Sequence, residues 1–361
     1  MLRTVARIVA RRPWPIILAW MAAAGGLFLT APRLREVAVQ DNSAFLKETE
    51  PSVVGAIELS KIWPEDDIGN TGALVFRRDS GLTPKDEALI QEVETWLASE
   101  EAPDVVRSTQ SPYSRPELLE ALSSTDRKVI LLVIVFKTAP FAPETDAAVT
   151  AIREHVQEVA PEGLQAHLTG NAGVATDQSI AINTAVERTT VITLVLIVFI
   201  LLWVYRSPVT ILVPLTTVGI ALGVSQGVIA LMAEQGFRVA GIVETFMVVI
   251  IFGAGTDYCL FIVSRFKEDL GAAKEEEPRR VLVGTMAVIG AVIASSAATV
   301  IVGFASEGVA EFGLYATTGP AMAIAVAITL LAGLTLTPAL LAALGRWAFW
   351  PSKVKPEEAA T

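Results

Sequence analysis

The sequence predicts an α-helical membrane protein with six transmembrane helices and one α+β domain between the first and second helices. Of its 361 residues, 52% are hydrophobic and only 18% are charged, whereas about a quarter of a soluble domain is charged. The apolar residues are also unevenly placed. One apolar segment lies near the N-terminus and five follow residue 186, with a polar block between them.

The first predicted segment, residues 1–32, has a basic start and an apolar run, 14–31. A secretory signal peptide has the same order of features. We favour an uncleaved transmembrane helix, because the apolar run is longer than a typical signal core and Trp14 and Trp20 suit a membrane interface. Four arginines and no acid make up the charge of its start: Arg3, Arg7, Arg11 and Arg12.

The polar block, residues 33–172, alternates helix and strand patterns. After a helix at 49–63, the predicted order is β-α-β-β-α-β, which is that of a ferredoxin-like two-layer domain. Thr83 and Pro84 open one helix with an N-cap residue and a proline at the first helical position. The strands are predicted at 71–77, 104–110, 128–137 and 164–170, and the two helices at 83–99 and 143–160.

The remaining chain is predicted to hold five membrane helices. The second, 173–206, is polar before it becomes apolar and spans about 50 Å if continuous, so it should extend beyond the bilayer. The third and fourth occupy 207–264, an amphipathic connector follows at 265–280, and the fifth and sixth fall within 281–345, where Pro320 and Pro338 interrupt the last apolar stretch. Residues 346–361 form a tail.

The distribution of Lys and Arg predicts the orientation in the membrane. The predicted inner side holds four at the start, one at Arg206, five in the connector and three in the tail, whereas the short outer loops hold only Arg238. Such a one-sided excess places both termini in the cytoplasm and the polar domain outside, in a bacterial inner (cytoplasmic) membrane. The three tail residues are Arg346, Lys353 and Lys355.

The most informative segment is 241–266, the fourth predicted membrane helix. Its apolar run contains Asp257 and Tyr258 side by side. Asp257 is about 12 Å from the Arg265 end, close to the middle of the bilayer core. A carboxylate there costs at least ~2.5–3.5 kcal/mol and is by default a candidate functional site, with a structural, hydrogen-bonded Asp as the alternative.

The residues around this pair suggest a proton relay. A carboxyl group in an apolar bundle can bind and release a proton, and Tyr258 can donate a hydrogen bond to its charged form. Gly253 and Gly255 would allow close helix packing near the relay. The fifth helix offers three possible polar relay partners, which could equally serve helix–helix hydrogen bonding: Ser295, Ser296 and Thr299.

Other kinds of site are absent from the sequence. His155 and His167 are isolated and lack the spacing of metal ligands, so no metal site is predicted. Cys259 is expected to be a small packing residue. No nucleophile elbow, catalytic triad or nucleotide-binding P-loop occurs, so we expect neither enzyme activity nor a cofactor. The net charge of −10 argues against nucleic acid as a partner.

Four stretches resemble one half of a transporter of the MMPL type, within the resistance–nodulation–division (RND) superfamily. They are VYRSPV (204–209), GAGTDYCLFIVSRFKEDL (253–270), ASSAATVIVGF (294–304) and LTPALLAALGRWAFWP (336–351). The resemblance covers nearly the whole chain, and the segment around Gly-Thr-Asp-Tyr is its most specific part. It implies the fold of an RND half-transporter with a porter-like outer domain.

The resemblance also implies a function and a partner. Members of this family usually contain two such halves and export lipids or other hydrophobic molecules, using the proton gradient as the energy source. Asp257 and Tyr258 match the pair that meets its counterpart from the other half. We therefore expect a second half, by homodimerisation or as a separate chain, unless this chain is itself the N-terminal half of a longer transporter.

Two other functions fit the layout of six helices and one domain. A protein-export accessory subunit of the SecF type has nearly the same organisation, although its fourth helix does not read Gly-Thr-Asp-Tyr. A lipid-binding membrane module similar to sterol-sensing domains would not transport at all. The second alternative predicts that the charge of Asp257 is dispensable.

Overall fold

The computed structural model describes residues 2–39, 42–62, 70–273 and 276–351. The chain forms two compact units, Met1–Leu46 with Arg188–Thr361, and Lys47–Glu187. Several sequence predictions lie outside the described residues: Trp63 at the end of the helix predicted at 49–63, the middle of the 265–280 connector, and most of the tail with Lys353 and Lys355.

The N-terminal part of the first unit forms α1 (Leu2–Arg11), α2 (Pro13–Thr30) and one helical turn, α3 (Leu34–Val37). Pro13 separates α1 from α2, because proline cannot donate a backbone hydrogen bond to α1, and its fixed φ suits the first position of a new helix. The sequence analysis predicted only a basic start here. The structure instead contains a distinct amphipathic helix, α1.

The second unit contains a four-stranded antiparallel sheet. Its elements are α4 (Pro51–Ile62), β1 (Thr71–Arg77), α5 (Pro84–Leu97), β2 (Val106–Gln110), α6 (Leu119–Leu122), β3 (Val129–Phe136), α7 (Pro143–Val159) and β4 (Gln165–Thr169). The strand order is β2-β3-β1-β4. Alternate residues of β1 and β3 are buried, because successive side chains of a strand point to opposite faces. They share one core with apolar residues of α5 and α7.

Five long helices follow β4: α8 (Gly170–Tyr205), α9 (Pro208–Glu234), α10 (Ile242–Ala272), α11 (Pro278–Ser306) and α12 (Gly313–Leu344). Together with α2, they are the six helices in the described part of the chain that are long and apolar enough to cross a membrane. The division between the two units falls within α8, after Glu187. The 36 residues of α8 correspond to about 54 Å.

Helix α12 is the most buried of the membrane-length helices and packs against α2, α9, α10 and α11. Pro320 and Pro338 lie inside α12, which remains continuous, so the predicted interruption is not a break in the helix. Membrane helices tolerate proline where neighbouring helices and hydroxyl groups satisfy the freed backbone groups. Around α12, α2 packs on α9, α9 on α10, and α10 on α11.

The C-terminal end of the described chain is hydrogen-bonded to the start of α9. Ser207 caps α9 and donates a hydrogen bond to the carbonyl of Trp350 (2.6 Å), while Thr210 donates to that of Ala348 (2.6 Å). Phe349 is buried against Phe266 of α10. Two stretches that were quoted for their family resemblance, 204–209 and 336–351, are therefore in direct contact.

Candidate functional site

Helix α10 has one face inside the bundle and one face on the surface of the single chain. Residues at helical spacing on the inner face are fully buried between the neighbouring helices, among them Met247, Ile251, Gly255, Cys259 and Ile262. The opposite face is an exposed, mostly apolar stripe with residues three or four positions apart: Ile242, Phe246, Val249, Gly253, Asp257, Phe261 and Ser264.

Asp257 lies within this exposed stripe, so the carboxylate is not buried within the single chain. A buried carboxyl group was expected from the sequence. Asp257 is the only charged residue between Glu244 and Arg265. Phe261, one turn away, is 58% exposed and Val249, two turns away, is 59% exposed. The exposed α10 side chains around Asp257 are therefore apolar.

Tyr258, the other member of the predicted relay, faces a different direction. Its side chain is buried, and it lies against Gly333 of α12, where an added Cβ atom would be 3.5 Å from the Cβ of Tyr258. Consecutive residues of an α-helix are about 100° apart. The pair therefore presents its carboxyl group outward and its aromatic ring towards α12.

The two glycines predicted to pack near the relay differ in their surroundings. A Cβ atom added to Gly255 would lie 3.0 Å from the methyl carbons of both Thr329 and Val218. Gly255 thus lets α10 approach α12 and α9 closely. Gly253 has no atom within 4 Å of such a Cβ position and lies on the exposed stripe with Asp257.

The possible relay partners on α11 are all exposed. Ser295 donates its hydroxyl hydrogen to the carbonyl of Val292 (2.9 Å) and Thr299 donates to that of Ser295 (3.1 Å). Both bonds stay within α11, and Ser296 is exposed beside them. The hydrogen bonds of these side chains are therefore local to their own helix.

The sequence analysis missed a buried polar contact between three helices. Cys259 of α10 lies 3.2 Å from the hydroxyl of Thr337 on α12, which donates to the hydroxyl of Thr217 on α9 (3.1 Å). All three side chains are almost completely buried. The available signal was the helical spacing of Ser207, Thr210 and Thr217 along α9, but the partner helix follows only from tertiary packing.

The two histidines, His155 and His167, lie on α7 and β4 of the second unit. His155 of α7 stacks on Trp96 of α5, with ring centroids 3.8 Å apart. His167 is exposed on β4, opposite Val75 of β1. In the first unit, Asp257 has the most distinctive surroundings, because it is an ionisable side chain on the apolar surface of a membrane-length helix.

Comparisons with known proteins agree on one family. The MMPL family model matches residues 44–360. The chain is 34% identical over 346 residues to the "Probable transport protein MmpL12" of Mycobacterium tuberculosis, and 31% identical over 343 residues to the "Sulfolipid-1 exporter MmpL8" of the same species. It is also 31% identical over 347 residues to the "Putative membrane protein ActII-3" of Streptomyces coelicolor.

These alignments cover most of this chain but only part of each relative. They include 95%, 94% and 96% of the chain, and 30%, 31% and 47% of MmpL12, MmpL8 and ActII-3, respectively. The chain thus spans about a third of the length of the mycobacterial relatives and about half of the Streptomyces protein. On the family match over residues 44–360, this multi-pass membrane protein belongs to the MMPL family.

Proposed function

We propose that the chain is one half of a transporter that exports lipid or other hydrophobic molecules across the bacterial inner membrane, driven by the proton gradient. In this proposal Asp257 carries the proton, and a second half covers the exposed face of α10. The second half is a second copy of this chain or a partner chain. No cofactor takes part, because the proton gradient supplies the energy.

The observation that carries the proposal is the exposure of Asp257 on an apolar helix. A carboxylate that faces lipid costs at least ~2.5–3.5 kcal/mol, and intramembrane ionisable residues normally face protein or a water-filled cavity. Among the residues that the structure describes, none covers Asp257 or the exposed apolar residues around it. A covering surface from another bundle would remove this cost and create a closed site for proton exchange.

Two neighbouring helices support docking of a second bundle. On α9, Gly219 and Gly223 are four residues apart and exposed, with no atom within 4 Å of an added Cβ. On α10, Gly253 is equally open. Small residues at this spacing allow helix backbones to approach closely in membranes. We infer that this face, α9 around Gly219 and α10 around Asp257, receives the second half.

The proton step follows from the position of Asp257. When the carboxyl group binds a proton it becomes neutral and tolerates an apolar environment, and when it releases the proton it needs polar partners. Tyr258 is the adjacent donor and would have to turn towards the carboxylate, or donate to that of the other half. One proton moving through the full membrane potential gains ~2.3 kcal/mol per 100 mV, which can bias the two states of a transport cycle.

Lipid as the cargo class is supported by a relative, since MmpL8 is named as a sulfolipid-1 exporter. We propose the same class for this chain without a specific headgroup. The polar unit Lys47–Glu187 would then be a ferredoxin-like, porter-like domain on the outer side, part of the cargo route, with both termini in the cytoplasm. Its strand order β2-β3-β1-β4 supports this fold, and the one-sided distribution of Lys and Arg supports this orientation.

The decisive experiment replaces Asp257. The full chain is reconstituted into vesicles with a fluorescent phospholipid as the probe, and its movement between leaflets is measured with and without an imposed proton gradient. We expect Asp257→Asn to abolish gradient-dependent movement, because the amide cannot exchange a proton, and Asp257→Glu to retain part of it. Insertion and thermal stability of both variants should match those of the wild type.

Two results would contradict the proposal. If Asp257→Asn moves the probe as fast as the wild type, Asp257 does not couple transport to protons, as expected of a lipid-binding module. If the wild-type chain is assembled with its second half and moves no probe under the gradient, the transport function itself is wrong for this class of lipid.

A further inference from the structure

Helix α1 has a basic face that the proposed transport site does not use. Ala6, Val9 and Ala10 are buried, and α1 packs through this side against α11 and α12. Arg3, Arg7 and Arg11 are exposed at intervals of four residues, so they form one line along the helix. Arg12 follows at the junction with α2 and is also exposed.

The position of α1 is the inner end of the helical bundle. Ala6 belongs to the same buried cluster as Phe266, Val281 and Leu282, which lie where α10 ends and α11 begins. Pro13 starts α2, a membrane-length helix, directly after Arg12. In the orientation proposed above, on which this inference rests, a helix so connected lies where the apolar segments meet the cytoplasmic surface.

The arginines of α1 have no protein partner among the described residues. Arg3, Arg7, Arg11 and Arg12 take part in none of the ion pairs recorded there. Two acidic residues of the same end, Glu268 and Asp269, are instead paired with Arg265 at 3.0 Å and 3.1 Å. No ion pair with a described acidic residue therefore competes with an anionic ligand for these four arginines.

Apolar side chains lie among these arginines. Ile8 is 56% exposed and lies about one helical turn before Arg11, and Trp14 is 63% exposed at the start of α2. An exposed apolar residue among basic ones is typical of helices in the membrane interface, where the apolar group enters the acyl region and the cations meet phosphate. A soluble anion would contact only the arginines and would leave the apolar side chains exposed to water.

We propose that α1 is a binding site for anionic phospholipids of the inner leaflet, with Arg3, Arg7 and Arg11 contacting the headgroup phosphates and Ile8 inserted between the acyl chains. Bound lipid would hold α1 against the ends of α11 and α12. This site is separate from Asp257 and does not depend on the proposed transport cycle.

The test measures lipid binding by the full chain. The purified chain in mild detergent is titrated with phosphatidylglycerol or phosphatidylcholine, and native mass spectrometry gives the bound fraction. We expect clear preference for phosphatidylglycerol. Each basic residue near an anionic surface contributes about a fivefold gain in affinity, so the variant Arg3→Gln/Arg7→Gln/Arg11→Gln should bind it about 100-fold more weakly.

Two control variants separate charge at this site from other effects. Replacement of the same three arginines by lysine keeps the charges and should stay within about fivefold of the wild type. The variant Lys85→Gln/Arg115→Gln/Arg127→Gln makes the same change of net charge on exposed residues of the other unit and should leave binding unchanged. Arg7→Gln alone should weaken the binding of phosphatidylglycerol about fivefold. This single variant therefore still tests the proposal if the triple variant misfolds.

Three outcomes would overturn the proposal. The first is equal binding of the two lipids by the wild type. The second is retention of phosphatidylglycerol by the triple glutamine variant to within about twofold. The third is loss of bound phosphatidylglycerol when an excess of inorganic phosphate is added, which would indicate a general anion site rather than a lipid site.

Discussion

Gly253 and Gly255 are two positions apart on α10, yet the fold gives them opposite environments. The sequence analysis treated them as one packing feature near Asp257. Helical geometry alone places them about 200° apart, so only one can face the bundle. Which one does so depends on where α9 and α12 pack, and this is tertiary information that the segment 241–266 does not carry.

This difference leads to a prediction for single substitutions. Gly255→Val should destabilise the chain, because its side chain would overlap Thr329 and Val218, and overpacking typically costs about 1–3 kcal/mol. Gly253→Val should leave the stability of the single chain nearly unchanged, because nothing lies within 4 Å of its added Cβ. Thermal unfolding of both variants in a detergent that keeps the chain monomeric checks this. A larger loss for Gly253→Val would mean that the packing around α10 is wrong.

Helices and strands were predicted correctly where the hydrophobic pattern was long or where a helix began with a specific N-cap residue. The predicted start of α5 at Thr83-Pro84 is confirmed, and the structure adds a capping box in which Thr83 and Asp86 bond reciprocally. Helix α1 was not predicted, because its three arginines and the adjacent Arg12 obscure a short amphipathic pattern. The ion pair of Asp86 with Arg78 was also missed, because neither helix nor strand spacing links these two positions.

The start of α5 gives a prediction of pH dependence. Arg78 donates two hydrogen bonds of 2.8 Å to the buried carboxylate of Asp86, and these bonds lower the pKa of Asp86 to about 2. An unfolded Asp has a pKa near ~3.9. The pair therefore contributes its full stability above pH ~4–5 and loses it as the pH falls towards ~2.

Asp86→Asn should reveal this contribution at neutral pH. Asparagine cannot accept both charge-assisted hydrogen bonds from Arg78, so we expect the variant to be less stable than the wild type at neutral pH. Hydrogen–deuterium exchange of the α5 and β1 peptides measures the local stability, and thermal scans from neutral to acidic pH follow the difference from the wild type. The difference should shrink as the pH falls below ~4; a constant difference would assign the effect to packing rather than charge.

For the whole molecule, the central prediction is that the chain pairs through α9 and α10. The composition and the segment order predicted six membrane helices and one polar domain, and the family resemblance implied a half-transporter that needs a partner. They did not predict that Asp257 would be exposed, because a single sequence cannot show which helix faces stay uncovered. With Asp257, Gly253 and the two α9 glycines on the surface, a second copy is the simplest cover of an otherwise costly lipid-facing carboxylate.

Native mass spectrometry of the full chain from a mild detergent or a nanodisc tests this pairing. We expect a dimer, and Gly253→Leu should raise its dissociation constant at least about tenfold, because the added side chain keeps the helices apart. Gly284→Leu is the matched control, since Gly284 of α11 is also exposed with no atom within 4 Å of an added Cβ. Equal effects of the two variants would place the interface elsewhere. A strict monomer would exclude the homodimer, and a different polypeptide would then have to supply the surface that covers Asp257.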